Sequence, residues 1–369
     1  MLLLFLFPIA AFAQEEDIAE KPPQEFEDFL SAVPEDIAEF LPPELFSGNT
    51  EEIAEEVREM SSFQSLFATF GELLKLALGD CIPSFCAVIG LLLVSAVCSA
   101  FRATIGSESV GKAFSFAASL AILSAMMMQT YGMVKSVAVY FERLNRLTAA
   151  VIPLSGALWA VGGNVTAAST SSAGLSVYLT VLEELVGNSI LPFCGFCMAF
   201  AVLGALDGNL KFGTLIATLK KHYTILLAGL MTILLAMLGF QTVLAAKSDS
   251  LAMRGAKFAV GNLIPVVGGS VSELVRTMSA GVSYLRTTLG LCAVLLILFT
   301  LLPTIVHLWI SGLCWQTSAG IAELLGSNTE KKVLDEMASL CGYLLAAACI
   351  CSSVLFLAVT LLIHCSTAI

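Results

Sequence analysis

Residues 257–271, KFAVGNLIPVVGGSV, combine two properties that one segment seldom holds together. The 15 residues 258–272 carry no charge, and the next charged residue is Glu273. This stretch is apolar enough to enter a membrane, but a helix that spans a membrane needs about 20 residues. The segment also contains residues that interrupt a helix or are polar: Gly261, Asn262, Pro265, Gly268 and Gly269. Backbone left unpaired at membrane depth must be buried in protein or line a wet cavity. We therefore predict a broken or re-entrant helix inside a membrane bundle, with a kinked interfacial helix as the alternative.

Pro265 and Asn262 form the polar centre of this segment. Pro265 has no amide hydrogen, so the carbonyl of Gly261, four residues earlier, loses its helical donor. We expect the Asn262 side chain to donate a hydrogen bond to this freed backbone. We expect the glycine pair 268–269 to pack against neighbouring backbone, because glycine has no side chain to prevent close approach.

The composition of the whole chain agrees with a membrane protein. Of its 369 residues, 57% are apolar and 13% are charged, whereas soluble domains have roughly 25% charged residues. The net charge of −11 is unevenly distributed: residues 14–80 hold 18 acidic and 3 basic residues, and residues 81–369 hold 11 acidic and 15 basic residues. We predict an acidic, water-facing segment at 14–80 joined to a polytopic transmembrane domain at 81–369.

The beginning of the chain predicts where the acidic segment lies. Residues 1–13, MLLLFLFPIAAFA, resemble a signal peptide that ends in an A-x-A pattern, although no basic residue precedes the apolar run. Segment 14–80 is therefore expected to be helical and extracytoplasmic; an uncleaved anchor is the alternative. The most basic short connection, 207–222, is expected to be a cytoplasmic loop, because positive charge favours the cytoplasmic side.

Uncharged windows beyond Asp80 predict six to eight spans and no sheet. Six windows give secure spans: 81–101, 113–134, 185–206, 222–246, part of 287–322, and 337–365. Two windows of 36 residues leave the count open: 147–182, which has a polar half, and 287–322, in which Pro303 either kinks one helix or turns a hairpin. Because lipid permits only helices or closed barrels, we predict an all-α, polytopic integral membrane helical bundle.

One helix of the acidic segment is predicted by its first residues. Asn49 and Glu52 have the spacing of a capping box, in which each satisfies a free amide of the first turn. Four apolar residues then repeat at helical spacing: Ile53, Val57, Met60 and Phe67. This face is expected to lie on the membrane or on a protein partner, and its many carboxylates favour the partner over an anionic surface.

The interrupted segment has possible internal copies. Residues 187–195, GNSILPFCG, match 261–268, GNLIPVVG, and 151–156 is a weaker copy. Such matches indicate repeats around a transport path or arise by chance. Glu183 and Glu184, close to the first copy, are candidate intramembrane polar residues, unless they lie at an interface.

No sequence motif predicts catalysis. Metalloprotease, hydrolase, P-loop and dinucleotide-binding motifs do not occur in a suitable context. Cys194 and Cys197 have redox or metal-ligand spacing, but no second cysteine or histidine pair accompanies them, so we interpret them as packing residues. The sequence predicts a protein that is not an enzyme, with no cofactor, no metal and no nucleic-acid partner.

The run 254–273, RGAKFAVGNLIPVVGGSVSE, resembles the hallmark of the stage III sporulation protein AE family of endospore-forming bacteria. The signal-like start, the acidic segment and the polytopic body also fit that family. The resemblance implies a subunit of a channel or secretion complex between mother cell and forespore, in the mother-cell membrane around the forespore, with other membrane subunits as partners. It implies no catalytic residues. The residues alone leave an alternative, a stand-alone secondary transporter with a midplane substrate site formed by broken helices.

Overall fold

A computed structural model shows the chain as a bundle of long helices. It describes the backbone of residues 22–39, 41–47, 49–104, 108–161, 164–185, 189–206, 212–263 and 268–364. Every regular element within these ranges is helical and none is a strand, which confirms the predicted all-α fold.

The helices fall into a short N-terminal group and a long C-terminal group. The described part of the acidic segment contains α1 (Gln24–Ser31), α2 (Glu35–Ala38), α3 (Glu44–Ser47) and α4 (Thr50–Met60). The described part of the remaining chain contains α5 (Phe63–Thr104), α6 (Glu108–Val161), α7 (Val165–Leu185), α8 (Leu191–Leu206), α9 (Phe212–Leu263), α10 (Gly268–Leu324) and α11 (Asn328–His364). Helix α5 continues without interruption past Asp80, so the last short helix ends well before the predicted domain boundary.

The antiparallel pair α10 and α11 forms the centre of the bundle. Nearly every side chain from Leu289 to Leu302 is buried, as expected of a helix that is apolar on all sides. The two helices meet at a tight turn, in which Gly326 has a φ of +73° and the Ser327 amide donates to the Ala322 carbonyl. A glycine with positive φ ends helices in this way because it has no Cβ to clash.

Pro303 lies within the continuous helix α10. The first of the two sequence interpretations, one long helix, is therefore correct, and the hairpin interpretation is wrong. The side chains on both sides of the proline, Leu302 and Val306, are buried in contact with α5, so packing holds this part of the helix in place.

Six helical segments of the described chain are long and apolar enough to cross a membrane, which agrees with the predicted range. They are Phe63–Val97, Thr130–Val161, Val165–Leu185, Thr214–Phe240, Ser283–Leu324 and Glu330–Ile363. The window 147–182 contributes to two of them, because the chain turns near Asn164 between α6 and α7.

The span expected over 185–206 needs correction. Helix α7 ends at Leu185 and α8 contains only 16 residues, which is about 24 Å and less than the roughly 30 Å core of a bilayer. Pro192 lies in the first turn of α8, where its missing amide costs nothing. The sequence window therefore contains a helix end and a short helix in place of one span.

The acidic segment folds against the bundle of its own chain. Helix α1 packs on α6 through the fully buried Phe26 and Phe29, and Arg143 of α6 forms an ion pair with Asp36 at 2.7 Å. Helix α4 packs on α10. The partner expected for the apolar face of α4 is thus this chain's own core.

The boundaries of α4 confirm one local prediction and correct another. The Asn49 amide donates to the Glu52 carboxylate at 3.1 Å, as the capping box predicted. Ile53 and Val57 are buried, but α4 ends at Met60, and Phe67 is an exposed residue of α5. The expectation of one continuous face through Phe67 is therefore wrong.

Candidate functional site

The hallmark run is divided between two helices. Gly261 and Asn262 lie in the last turn of α9, which ends at Leu263, and Pro265 lies outside the described residues. The remaining predicted residues, Gly268, Gly269 and Glu273, belong to the first two turns of α10. The side chains of this run also lie outside the described part, so the hydrogen bond of Asn262 and the re-entrant path stay predictions.

Glu183 and Glu184 occupy the final turn of α7, and both side chains are exposed. A helix end is the location that the interfacial interpretation requires. Their role in function stays a prediction.

The best-defined buried polar group is a lysine that joins α9 to α11. Lys220 is 5% exposed, and its Nζ donates to Glu336 Oε2 at 3.0 Å and to Ser339 Oγ at 3.2 Å. The structure places Lys220 inside a helix that begins at Phe212, so its assignment to a basic loop over 207–222 is wrong. A lysine can be buried at this position because the carboxylate of Glu336 on the facing helix compensates its positive charge.

Aromatic rings pack beside this ion pair, about one helical turn further along α9. Tyr223 of α9 stacks on Phe193 of α8 with ring centroids 4.9 Å apart. Tyr343 of α11 meets Tyr223 edge-on at 5.8 Å. The Tyr223 hydroxyl forms a hydrogen bond with Ser189, which precedes α8. The copy of the interrupted segment at 187–195 is thereby attached to the junction of α9 and α11.

Cys194 and Cys197 of α8 face the same junction, and both are buried, free thiols. Their burial among apolar side chains confirms the packing interpretation.

A second buried cation joins α6 to α10. Arg286 is 2% exposed, its Nε donates to the Leu158 carbonyl at 3.1 Å, and its guanidinium lies 4.9 Å from the centre of the Trp159 ring. Cation–π contact of this kind is strongest where water is excluded. Sequence reasoning missed Arg286 and Lys220 as site residues. The only available signal was their position at long uncharged windows: Arg286 directly precedes the window 287–322, and Lys220 lies two residues before the window 222–246.

Comparison with known proteins places these features in a family context. Residues 49–366 match the family model described as Stage III sporulation protein AE (spore_III_AE). A curated relative, "Stage III sporulation protein AE" of Bacillus subtilis (strain 168), is 27% identical over 224 residues, which are 60% of this chain and 56% of the relative. The aligned part thus spans little more than half the length of that relative. No solved structure matches the chain.

Proposed function

The chain belongs to the stage III sporulation protein AE family, and from this premise we propose that it is a non-enzymatic integral-membrane subunit of a channel or secretion complex between mother cell and forespore. The observation that carries the proposal is the family match, which covers all the described polar junctions and nearly all of the six candidate spans. Membership itself assigns the chain to sporulation. The proposed location is the mother-cell membrane around the forespore, with residues 14–80 extracytoplasmic.

The polar groups of the described membrane body support a structural role. Tyr140 of α6 and Tyr178 of α7 both donate to carbonyls of α11, those of Ala348 at 3.1 Å and Cys351 at 2.7 Å. Together with the Lys220 ion pair, these bonds connect three different helices to α11. Hydrogen bonds between helices hold a membrane subunit together, because in lipid there is little hydrophobic driving force for helices to associate.

Deletion of the gene in the source organism tests the proposal. Spore development is expected to arrest after engulfment, and the wild-type gene should restore it. A complementing gene with Gly268→Val is expected to fail, since a branched side chain blocks close backbone approach. Normal sporulation of the deletion strain would refute the proposal.

Reconstitution tests the transporter alternative. The purified chain in liposomes is expected to move no solute by itself, and to co-purify with other membrane subunits from sporulating cells. Solute flux by the chain alone, with no co-purifying membrane protein, would favour the transporter.

A further inference from the structure

A polar cleft of about 270 Å³ lies between α5, α6 and α10, away from the junctions described above. Helix α5 contributes Asp80 and Ser84, and α6 contributes Gly132 and Ser136. Helix α10 contributes one face of residues at helical spacing, among them His307, Ser311 and Ser318. The floor of the cleft is formed by the apolar contact between α5 and α10 around Cys81 and Ile310.

Asp80 lies within a candidate span, Phe63–Val97, and its side chain is exposed toward this cleft. None of the ion pairs found among the described residues includes the Asp80 carboxylate, and the imidazole of His307 is a titratable group that shares the cleft with it. An ionised carboxylate at such a position is costly unless a counter-charge is present. A cation that enters the cleft would supply a counter-charge that none of those ion pairs provides.

Two hydroxyl groups of the cleft present acceptor lone pairs. Ser136 donates its hydroxyl hydrogen to the Gly132 carbonyl at 3.1 Å, and Ser318 donates to the Cys314 carbonyl at 2.8 Å. Each hydroxyl oxygen keeps its lone pairs for an incoming donor. A carboxylate combined with hydroxyl acceptors fits an ammonium group, which has three N–H donors and no acceptor.

The surroundings of the cleft indicate where the ammonium comes from. One helical turn before Asp80, Leu76 is 55% exposed, and one turn before Gly132, Met128 is 80% exposed. Large apolar side chains that are exposed on a membrane bundle face lipid, so a bilayer lipid can reach the opening. We propose that this cleft binds the ammonium headgroup of an aminophospholipid, with the Asp80 carboxylate as its counter-charge.

Lipid retention by the purified full-length chain tests this site. Native mass spectrometry would count the phosphatidylethanolamine and phosphatidylglycerol molecules that remain after delipidation from membranes containing both. The wild type is expected to retain phosphatidylethanolamine in preference, and Asp80→Asn to reduce this retention about tenfold. Glu72→Gln is the matched control, because Glu72 is an exposed carboxylate on the same helix outside the cleft.

A second variant fills the cleft without changing any charge. A Cβ at Gly132 would meet no atom within 4 Å, so Gly132→Leu places a side chain in open space and should not disturb folding. It is expected to lower phosphatidylethanolamine retention, whereas Gly90→Leu, at an equally open position of α5, should not.

Four outcomes would overturn the proposal. Equal retention of phosphatidylethanolamine by the wild type and both cleft variants would exclude the cleft as the site. Equal retention of phosphatidylglycerol would exclude ammonium recognition. Loss of a co-purifying membrane protein from Asp80→Asn, with lipid retention unchanged, would assign Asp80 to a lysine or arginine of that protein. Competition by soluble phosphoethanolamine, without any effect of lipid composition, would identify a free amine as the ligand in place of a lipid.

Discussion

The central pair α10–α11 and the peripheral helices α5 and α9 are all apolar enough to span a membrane, but the bundle uses them differently. In the most apolar stretch of each candidate span, 78% of α10 residues and 61% of α11 residues are buried in protein. The corresponding shares are 22% for α5 and 17% for α9. Apolar character shows only that a segment leaves water. Whether protein or lipid then surrounds it is decided by the neighbouring helices.

The largest expected effect on stability comes from the ion pair that joins the peripheral helix α9 to the central helix α11. Lys220→Met leaves the Glu336 carboxylate partly buried without its cation, and should lower the free energy of unfolding by about 4 kcal/mol. Unfolding of the purified protein in mixed micelles measures this loss. The exposed neighbour Lys221 supplies the control, since Lys221→Met should change stability by less than about 0.5 kcal/mol.

A double variant separates lost charge pairing from lost shape at the same position. Lys220→Met with Glu336→Leu should recover most of the loss, because an apolar pair needs no charge compensation. If the double variant is as unstable as Lys220→Met alone, the ion pair is not the cause.

Truncation of one side chain in each region tests the comparison directly. Leu296 of α10 is fully buried, so Leu296→Ala creates a cavity and should cost about 3 kcal/mol. Ile233 of α9 is 67% exposed, and Ile233→Ala should cost less than about 1 kcal/mol, because lipid can fill the space. The same unfolding measurement applies to both, and equal losses would contradict the assignment of centre and periphery.

Glycines provide a finer test of how closely the helices approach. A Cβ at Gly290 of α10 would lie 2.7 Å from Ile363 Cγ1 of α11, so Gly290→Ala should destabilise the pair by about 1 kcal/mol. At Gly229 of α9 a Cβ would meet no atom within 4 Å. Gly229→Ala should therefore stabilise the protein by up to about 1 kcal/mol, through helix propensity. In an unfolding measurement, we expect Gly290→Ala to lower the midpoint and Gly229→Ala to raise it.

The smallest expected effect is a pH-dependent change in the stability of the acidic segment. Burial raises the pKa of the Glu56 carboxyl, and the charges of Glu59, Glu44 and Glu55 raise it further. The folded state therefore binds this proton more tightly than the unfolded state does. The resulting stabilisation is complete below the unfolded pKa and is lost as the pH rises through the folded pKa.

Amide hydrogen exchange in α1 and α4 measures this effect. Protection should decrease from about pH 4 to about pH 7 in the wild type, and the decrease should be smaller in Glu56→Gln. Protection that instead increases over this range in proportion to Glu56 ionisation would show that the sign is wrong.

Local patterns were sufficient where the structure depends on near neighbours in sequence. The Asn49–Glu52 cap joins residues three apart, and its hydrogen bond was predicted correctly. The span over 185–206 was wrong because window counting ignores where a helix begins. Lys220 was misplaced because its partner, Glu336, is 116 residues away, and no local pattern contains such a pair.

The sequence by itself determined that the chain is an all-α membrane protein with an acidic N-terminal segment. Long uncharged windows must leave water, and in lipid their backbone can be satisfied only within helices. Only the tertiary structure decided which helices lie at the centre, that the acidic segment folds onto its own bundle, and that Asp80 and His307 line one cleft. These facts depend on contacts between residues distant in the chain, where side-chain shape and charge compensation select the partner.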